Sequence, residues 1–236
     1  MYLYETHMHT SPVSACAVSS PAEQARAYKA MGYAGIIVTD HFINGNSGCP
    51  RKLSWDKRIG FFASGYESAK KEGALCGLDV FFGCEYNIGG TEFLTYGLSI
   101  ETLLANPGMD ALTVKQYSEF VRANGGYLAQ AHPYRTGWWI DNPFPADPAL
   151  MDGVEVYNAG NLDKAANLKA LEFARLHNLP VQAGTDSHHT DSPFFSGIML
   201  PKKAGSIFDI IEAIKTGQAE LIIPNHADAA PFKRRV

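Results

Sequence analysis

What most constrains the fold of this chain is the placement of its ligand-type residues. Five short segments, His7-Met8-His9, Asp40-His41, Gly83-Cys84-Glu85, His132-Pro133-Tyr134-Arg135 and Asp186-Ser187-His188, each follow a hydrophobic, strand-like run. Between them they hold five of the eight histidines. Residues two apart in extended backbone project side chains the same way, so H-x-H and D-x-H present paired ligands to a divalent metal. A set mixing imidazole with carboxylate favours Zn, Mn or Fe over Ca or Mg. No single pair is specific, and the repeated placement at strand ends carries the inference. The fold must gather several strand ends at one place, and the chemistry such a set suits is multi-metal hydrolysis.

The intervening sequence reads as alternating strands and helices. Strands are expected over 1–5, 35–39, 79–82, 92–98, 126–130, 153–157, 179–183, 197–200 and 220–223. Helices are expected over 21–31, 55–71, 162–176 and 206–215, with another opening at Thr113. Ser20-Pro21-Ala22-Glu23 and Thr113-Val114-Lys115-Gln116 are capping boxes, the first with Pro at the first helical position. Strands that alternate with helices and run straight into loops imply right-handed βαβ units around a parallel sheet. Seven or eight such strands favour closure into a barrel, whose carboxyl-end rim is where active sites gather. An open doubly wound sheet gathers ligands mainly at one crevice, and no G-x-G-x-x-G follows the first strand. The expectation is one α/β barrel domain over residues 1–236, with His7, His41, Glu85, His132 and Asp186 converging.

Composition narrows the function classes. With 46% apolar and 19% charged residues the chain can bury an ample core, and a formal charge of -4 argues against an electrostatic nucleic-acid binder. The four cysteines, 16, 49, 76 and 84, form no C-x-x-C pair, so free thiols in a reducing compartment are expected. The first ten residues are polar and carry ligand types, unlike a signal peptide, and no apolar run reaches the roughly 18 residues of a membrane span. A cytoplasmic location is the expectation.

The segments taken together resemble the PHP (polymerase and histidinol phosphatase) superfamily. H-x-H follows the first strand, T-D-H the second and G-x-E the third, and H-P-x-R and a late G-[ST]-D-x-H come after them, in order from His7 to His188. The resemblance implies a distorted (β/α)7 TIM-like barrel holding two or three divalent ions (Zn, Mn or Fe). It also implies hydrolysis of phosphoesters, such as histidinol phosphate or a nucleotide, by a metal-activated hydroxide. Within that frame His7, His9, His41, Glu85, His132, Asp186 and His188 fall on metal-ligand positions. Two departures bear on the metals. Where the family often has a further His or Asp after the H-x-H, this chain has only Cys16, whose thiolate suits Zn. Where members commonly carry a His on the strand after G-x-E, this chain has Glu92, which tilts preference towards Mn or Fe. Of the two, Glu92 is the favoured ligand, because its alignment needs no gap.

His132 and Asp186 are grouped with Arg135 as catalytic residues, and Arg135 is read as a phosphate clamp whose planar fork fits phosphoryl oxygens. Asp40 is expected to orient an imidazole by accepting its second N–H, and Asn158 to hydrogen-bond near the ligands. His177, His189 and His226 read as surface residues, and Lys233-Arg234-Arg235 as a solvated tail. Trp138 and Trp139 read either as rim packing or as a flat wall for a substrate ring. The partner is expected to be a small phosphorylated substrate, with specificity in loops 42–55 and 136–148; no membrane and no nucleic acid beyond nucleotides or short oligonucleotides is expected. Two other readings remain: an amidohydrolase or deaminase on a related metal barrel, and a non-catalytic metal-binding regulatory module.

Overall fold

The computed structural model describes residues 1–137, 140, 143–191 and 195–224. β1 (Tyr2–Glu5) leads to α1 (Pro21–Ala30), which starts at the expected capping box, Ser20 and Glu23 each accepting from the other's end of the first turn. After β2 (Gly35–Val38), α2 (Trp55–Cys76) runs past the expected stop at Lys71 and ends at Gly77 in left-handed backbone. β3 (Asp79–Ile88) also outruns expectation, so Glu85 lies within a strand rather than just beyond one. β4 (Thr91–Tyr96) is followed by α3 (Ile100–Ala105), a short helix the sequence reading did not contain. α4 (Val114–Ala123) begins at the second capping box, with Thr113 and Gln116 as its pair. Then come β5 (Tyr127–Gln130), β6 (Gly153–Asn158), α5 (Lys164–Leu176) and β7 (Val181–Gly184). The described chain closes with β8 (Gly197–Leu200), α6 (Ile207–Lys215) and β9 (Glu220–Ile222).

Among the described residues nine strands share one sheet, in the order β7-β6-β5-β4-β3-β2-β1-β8-β9. β1, β2 and β3 are parallel, and so are β5, β6 and β7. The all-parallel expectation fails at β4, antiparallel to both neighbours, and at β8 and β9, which add antiparallel strands outside β1. Gly89 and Gly90 explain the first reversal. Both have positive φ, 58° and 84°, which lets the chain turn back at once, whereas parallel pairing needs a long crossover. The ring closes through the segments just beyond β1 and β7. Met8 pairs in parallel with Ser187, the Asp186 amide donates to His7 O (2.7 Å) and the His9 amide to Ser187 O (2.9 Å). The result is a distorted seven-stranded barrel, β1 to β7, with one strand reversed.

Large aromatic residues fill much of the interior: Tyr4, Tyr96 and Tyr127 are buried with Ile37 and Leu94 inside one cluster, and Phe42, Phe62, Tyr86, Phe93 and Tyr117 inside another. Each such ring contributes about 1.5–3 kcal/mol by leaving water. α1 and α2 pack over β2 and β3, where Tyr28, Tyr33, Ile36 and Val38 form a third cluster. Among the described residues no helix is long and apolar enough to cross a membrane.

Candidate metal centre

The barrel brings eight of the nine sequence-predicted ligands together at its carboxyl-end rim; Cys16, exposed in the loop after β1, joins none of the ligand groups among the described residues. His7 and His9 follow β1, His41 follows β2, Glu85 lies on β3, His132 follows β5, and Asp186 and His188 follow β7. The reversal of β4 matters here, because it puts that strand's amino-terminal end at the rim. Glu92 is thereby paired with Asn87 of β3 and reaches the cluster, its carboxylate 3.6 Å from His41 Nδ1 and 3.5 Å from His132 Nε2. In a parallel β4 the same residue would start its strand at the far end of the barrel.

The contacts are close. His7 Nε2 lies 3.2 Å from His9 Nε2, 3.2 Å from Glu85 Oε1 and 3.4 Å from Asp186 Oδ1. His9 Nε2 lies 3.1 Å from Asp186 Oδ1 and 3.4 Å from Glu85 Oε2, while His132 Nε2 is 2.9 Å from Glu85 Oε1. Four overlapping triads result, each with its ligand atoms mutually within 4.8 Å: His9, His41 and His188; His7, Glu85 and His132; His7, His9 and Asp186; His41, Glu85 and Glu92. His7, His9 and Glu85 are almost wholly buried, His41, His132 and Asp186 nearly so, and His188 and Glu92 are partly exposed.

Hydrogen-bond accounting shows that a cation fits. His7 Nδ1 faces Glu155 Oε1 at 2.9 Å, an acceptor, so it carries the N–H. Ser14 gives its one hydroxyl proton to Asp40 (2.7 Å) and therefore accepts from His9 Nδ1 (3.0 Å). His188 Nδ1 donates to the Asp186 carbonyl at 2.8 Å. With each Nδ1 committed, the Nε2 atoms of His7 and His9 are left facing one another and two carboxylates, an arrangement that needs a proton or a metal ion between them. His41 Nδ1 and Glu85 Oε2 point the same way: buried and 2.8 Å apart, they lack the alignment of a hydrogen bond. A donor set of imidazole and carboxylate suits Zn, Mn or Fe.

The electrostatics agree. Burial opposes the charge on Glu85, but His7 and His41 hold its carboxyl well below the usual range. Asp186, also opposed by burial, is held down by His7 and Arg135. Burial disfavours a charged His7, yet Glu155, Asp186 and Glu85 outweigh it and raise the imidazole well above its ordinary pKa. For His9, burial and the neighbouring His188 and His41 lower it. Cys16 stands exposed at the lip; burial raises its thiol, but hydrogen bonds with His188 and His41 outweigh that and bring it to about 7.

Behind the ligands lies a layer that sequence reading mostly missed. Glu155 holds His7 through Oε1, while its Oε2 accepts from the His132 amide (3.0 Å) and from Asn158 Nδ2 (2.9 Å). Glu155 and Asn158 are three apart and would face opposite sides of a regular strand, but a bulge between Glu155 and Tyr157 turns both inward. That bulge has no signature in the sequence. Asp40 corrects the expectation for it: no imidazole donates to it directly, and it acts on His9 through the Ser14 hydroxyl while also accepting from Thr10 N and Oγ1. Gly184 makes room for the closure, since a Cβ there would meet His7 Cβ at 2.5 Å. His132 and Asp186 adopt positive φ, 28° and 56°, a backbone strain that functional sites tend to carry.

Arg135 lies beside the cluster, with three contacts fixing its fork: Nη1 to Asp186 Oδ2 (2.6 Å), Nη2 to Asn158 Oδ1 (2.7 Å) and Nε to Asn161 Oδ1 (2.7 Å). The expected hydrogen-bonding role of Asn158 is therefore present. His177 caps the end of α5 and His189 is exposed, both away from the ligand triads. Trp138, Trp139, His226 and the tail Lys233-Arg234-Arg235 lie outside the described residues.

No family model and no curated protein matches the chain. Solved structures do. A two-domain protein from Bacteroides vulgatus, named as containing a predicted PHP-like metal-dependent phosphoesterase, superposes with a TM-score of 0.69 at 17% identity, over 98% of this chain and 68% of its own. PsfC from Pseudomonas syringae gives 0.64 at 16% identity, over 98% of this chain and 94% of its own. An amidohydrolase from Chromobacterium violaceum, with bound sulfate and no metal, gives 0.56 at 14% identity, over 95% and 99%. In fold, the chain is similar to the PHP-like metal-dependent phosphoesterase structures, with a His/Glu cluster of metal-binding type at the barrel rim.

Proposed function

We propose that this chain is a metal-dependent hydrolase of small phosphomonoesters, using two or three ions of the Zn, Mn or Fe class. His7, His9, His41, Glu85, Glu92, His132, Asp186 and His188 would hold the ions. When bound, such ions supply Lewis-acid polarisation of a phosphoryl oxygen and a water acidified towards neutrality. Glu155, Ser14 and the Asp186 carbonyl fix the ring orientations of His7, His9 and His188. Arg135 has five N–H donors, and three are tied to Asp186, Asn158 and Asn161, so its remaining edge is held rigid for a phosphoryl oxygen. His132 and Asp186 act as ligands next to that edge. Burial of the cluster keeps bulk water from screening it.

The observation that carries this reading is the buried set of four overlapping triads with the Arg135 fork anchored on one of its ligands. A small phosphorylated partner, rather than a nucleic-acid polymer or a membrane, fits the formal charge of -4; a cytoplasmic setting fits four unpaired cysteines. The test is to load the purified protein with Mn, Fe or Zn and measure bound metal and hydrolysis across a phosphomonoester panel. His7→Ala and Asp186→Ala should each lose metal and abolish hydrolysis while the fold persists. Full metal content with no phosphoester turnover would remove the reading. Because a similar fold is found in a protein named an amidohydrolase, the same preparation should be assayed on dihydroorotate and cytosine, and turnover there without phosphatase activity would favour that second reading. Metal binding without turnover of either class would point to a regulatory module.

A further inference from the structure

The buried face of α5 carries Ala166, Ala170, Leu171, Phe173 and Ala174, and among them stands one polar side chain, Asn167, only 6% exposed. Asparagine is a poor residue inside a helix, and a buried amide is costly unless its groups are paired. Here they are paired with the backbone of one residue and the side chain of another. The Asn158 amide donates to Asn167 Oδ1 (3.1 Å), and Asn167 Nδ2 donates to the Asn158 carbonyl (3.2 Å). Asn161 Nδ2 donates to the same Oδ1 at 2.7 Å. Among the described residues, none of these three asparagines belongs to a ligand triad.

These bonds fix which way each amide faces. Backbone N–H and C=O groups cannot exchange roles, so Asn158 sets the orientation of the Asn167 amide. Asn167 Oδ1 then calls for a donor from Asn161, which turns Asn161 Oδ1 towards Arg135 Nε at 2.7 Å. The Asn158 side chain is oriented from its other side. Its Nδ2 donates to Glu155 Oε2 (2.9 Å), and its Oδ1 accepts from Arg135 Nη2 (2.7 Å) and from the Gly160 amide (2.8 Å). A guanidinium has only donors, so it is held by two amide oxygens as it could not be by two amide nitrogens. Both oxygens are neutral and fix Arg135 without cancelling its charge; Asp186 supplies the charged contact, at 2.6 Å. One N–H is left over on each terminal nitrogen of Arg135.

Resting on the reading of Arg135 as a phosphate contact, we propose that Asn167 is a positioning residue for that contact. Among the described residues it makes no hydrogen bond to a metal ligand. Through Asn161 and the backbone of Asn158 it sets the direction in which Arg135 presents its two remaining N–H groups to a phosphoryl group. α5, packed against β6, thereby shapes the anion subsite without placing a side chain in it.

A double-mutant cycle separates this role from packing alone. Metal-loaded full-length protein is titrated calorimetrically with inorganic phosphate, and kcat/KM is measured on para-nitrophenyl phosphate. Asn167→Ala should weaken phosphate binding and lower kcat/KM by about 10-fold each, with bound metal at the wild-type level. In the Arg135→Ala background the same substitution should change neither, whereas a packing role would cost the same in both backgrounds. Asn161 lies outside the helix and is partly exposed, so Asn161→Ala removes the intermediate link while leaving the packing of α5 intact. It should couple to Arg135 in the same way. Urea unfolding reads any loss of stability separately. Equal losses in the two backgrounds overturn the proposal, as does wild-type phosphate affinity in folded Asn167→Ala and Asn161→Ala. Phosphate binding coupled to Arg135 in a protein that turns over no phosphoester keeps the positioning role and removes the phosphoesterase reading, so the two fail separately.

Discussion

Glu155 is where a single residue controls the most. It touches no other ligand carboxylate, yet it fixes the His7 ring and the His132 backbone at once. Glu155→Gln keeps the volume but presents an amide N–H to groups that are themselves donors. We expect metal affinity to fall by about 10- to 100-fold and stability by about 1–3 kcal/mol for the unsatisfied buried donor. Chelator competition and urea unfolding read these separately; unchanged affinity would mean that His7 is oriented by something else. Arg135 offers a second test. In Arg135→Ala, kcat/KM should fall by roughly 30- to 1000-fold, or about 2–4 kcal/mol of transition-state stabilisation. Arg135→Lys should recover only part, because an ammonium keeps the charge and loses the fork. Since Arg135 is also the 2.6 Å partner of Asp186, bound metal must be measured alongside, and a fall in kcat/KM that merely tracks metal loss would deny Arg135 a contact with substrate.

At the scale of elements, α2 is held against the site by an absence of side chain. A Cβ on Gly65 would lie 2.4 Å from Asp40 Oδ2 and 2.7 Å from Thr10 Oγ1, so this helix can approach only with glycine there. Gly65→Ala should therefore cost about 1–3 kcal/mol of stability by overpacking, against the small gain that alanine normally brings inside a helix. It should also loosen His9, which depends on Asp40 through Ser14. Thermal unfolding checks the sign, and a stabilised variant would show that α2 can shift without disturbing Asp40. The elements differed in how far sequence revealed them. His7, His9, Asp186 and His188 were legible because the two-residue period of extended chain pairs them and apolar runs precede them. Glu92 was legible only as an aligned acid, and its delivery depends on β4 running backwards, which a helix-strand alternation rule does not foresee. Asn158 was legible as a hydrogen bonder near the ligands, but Glu155 was not, because the bulge that turns both inward leaves no mark in residue type. Ser14 carries no mark in the sequence, and its role exists only once three distant groups, Asp40, His9 and the His41 amide, meet around it.

The whole molecule closes where the ligands are densest. His7, His9, Asp186 and His188 flank the pairing of Met8 with Ser187 that joins the first barrel strand to the seventh, and Glu85, Glu92 and His132 reach the same cluster from the opposite wall. Ions held there would tie strands from around the ring that backbone pairing connects only to their neighbours. They would also satisfy facing nitrogens and carboxylates whose mutual arrangement no fixed hydrogen bond resolves. Binding to the folded chain alone stabilises it by about 2.7 kcal/mol when free metal is a hundred times the dissociation constant. For a domain of this size each kcal/mol shifts Tm by about 2–4 °C, so chelation should lower Tm by roughly 5–10 °C. The drop should shrink in Asp186→Ala, which removes a shared ligand and a contact of Arg135 together. Calorimetry with and without chelator, at matched ionic strength, measures both. A Tm indifferent to chelator in a protein shown to carry metal would mean that the barrel closes without help from its centre. The Met8–Ser187 pairing and the amide bonds beside it would then have to account for closure alone.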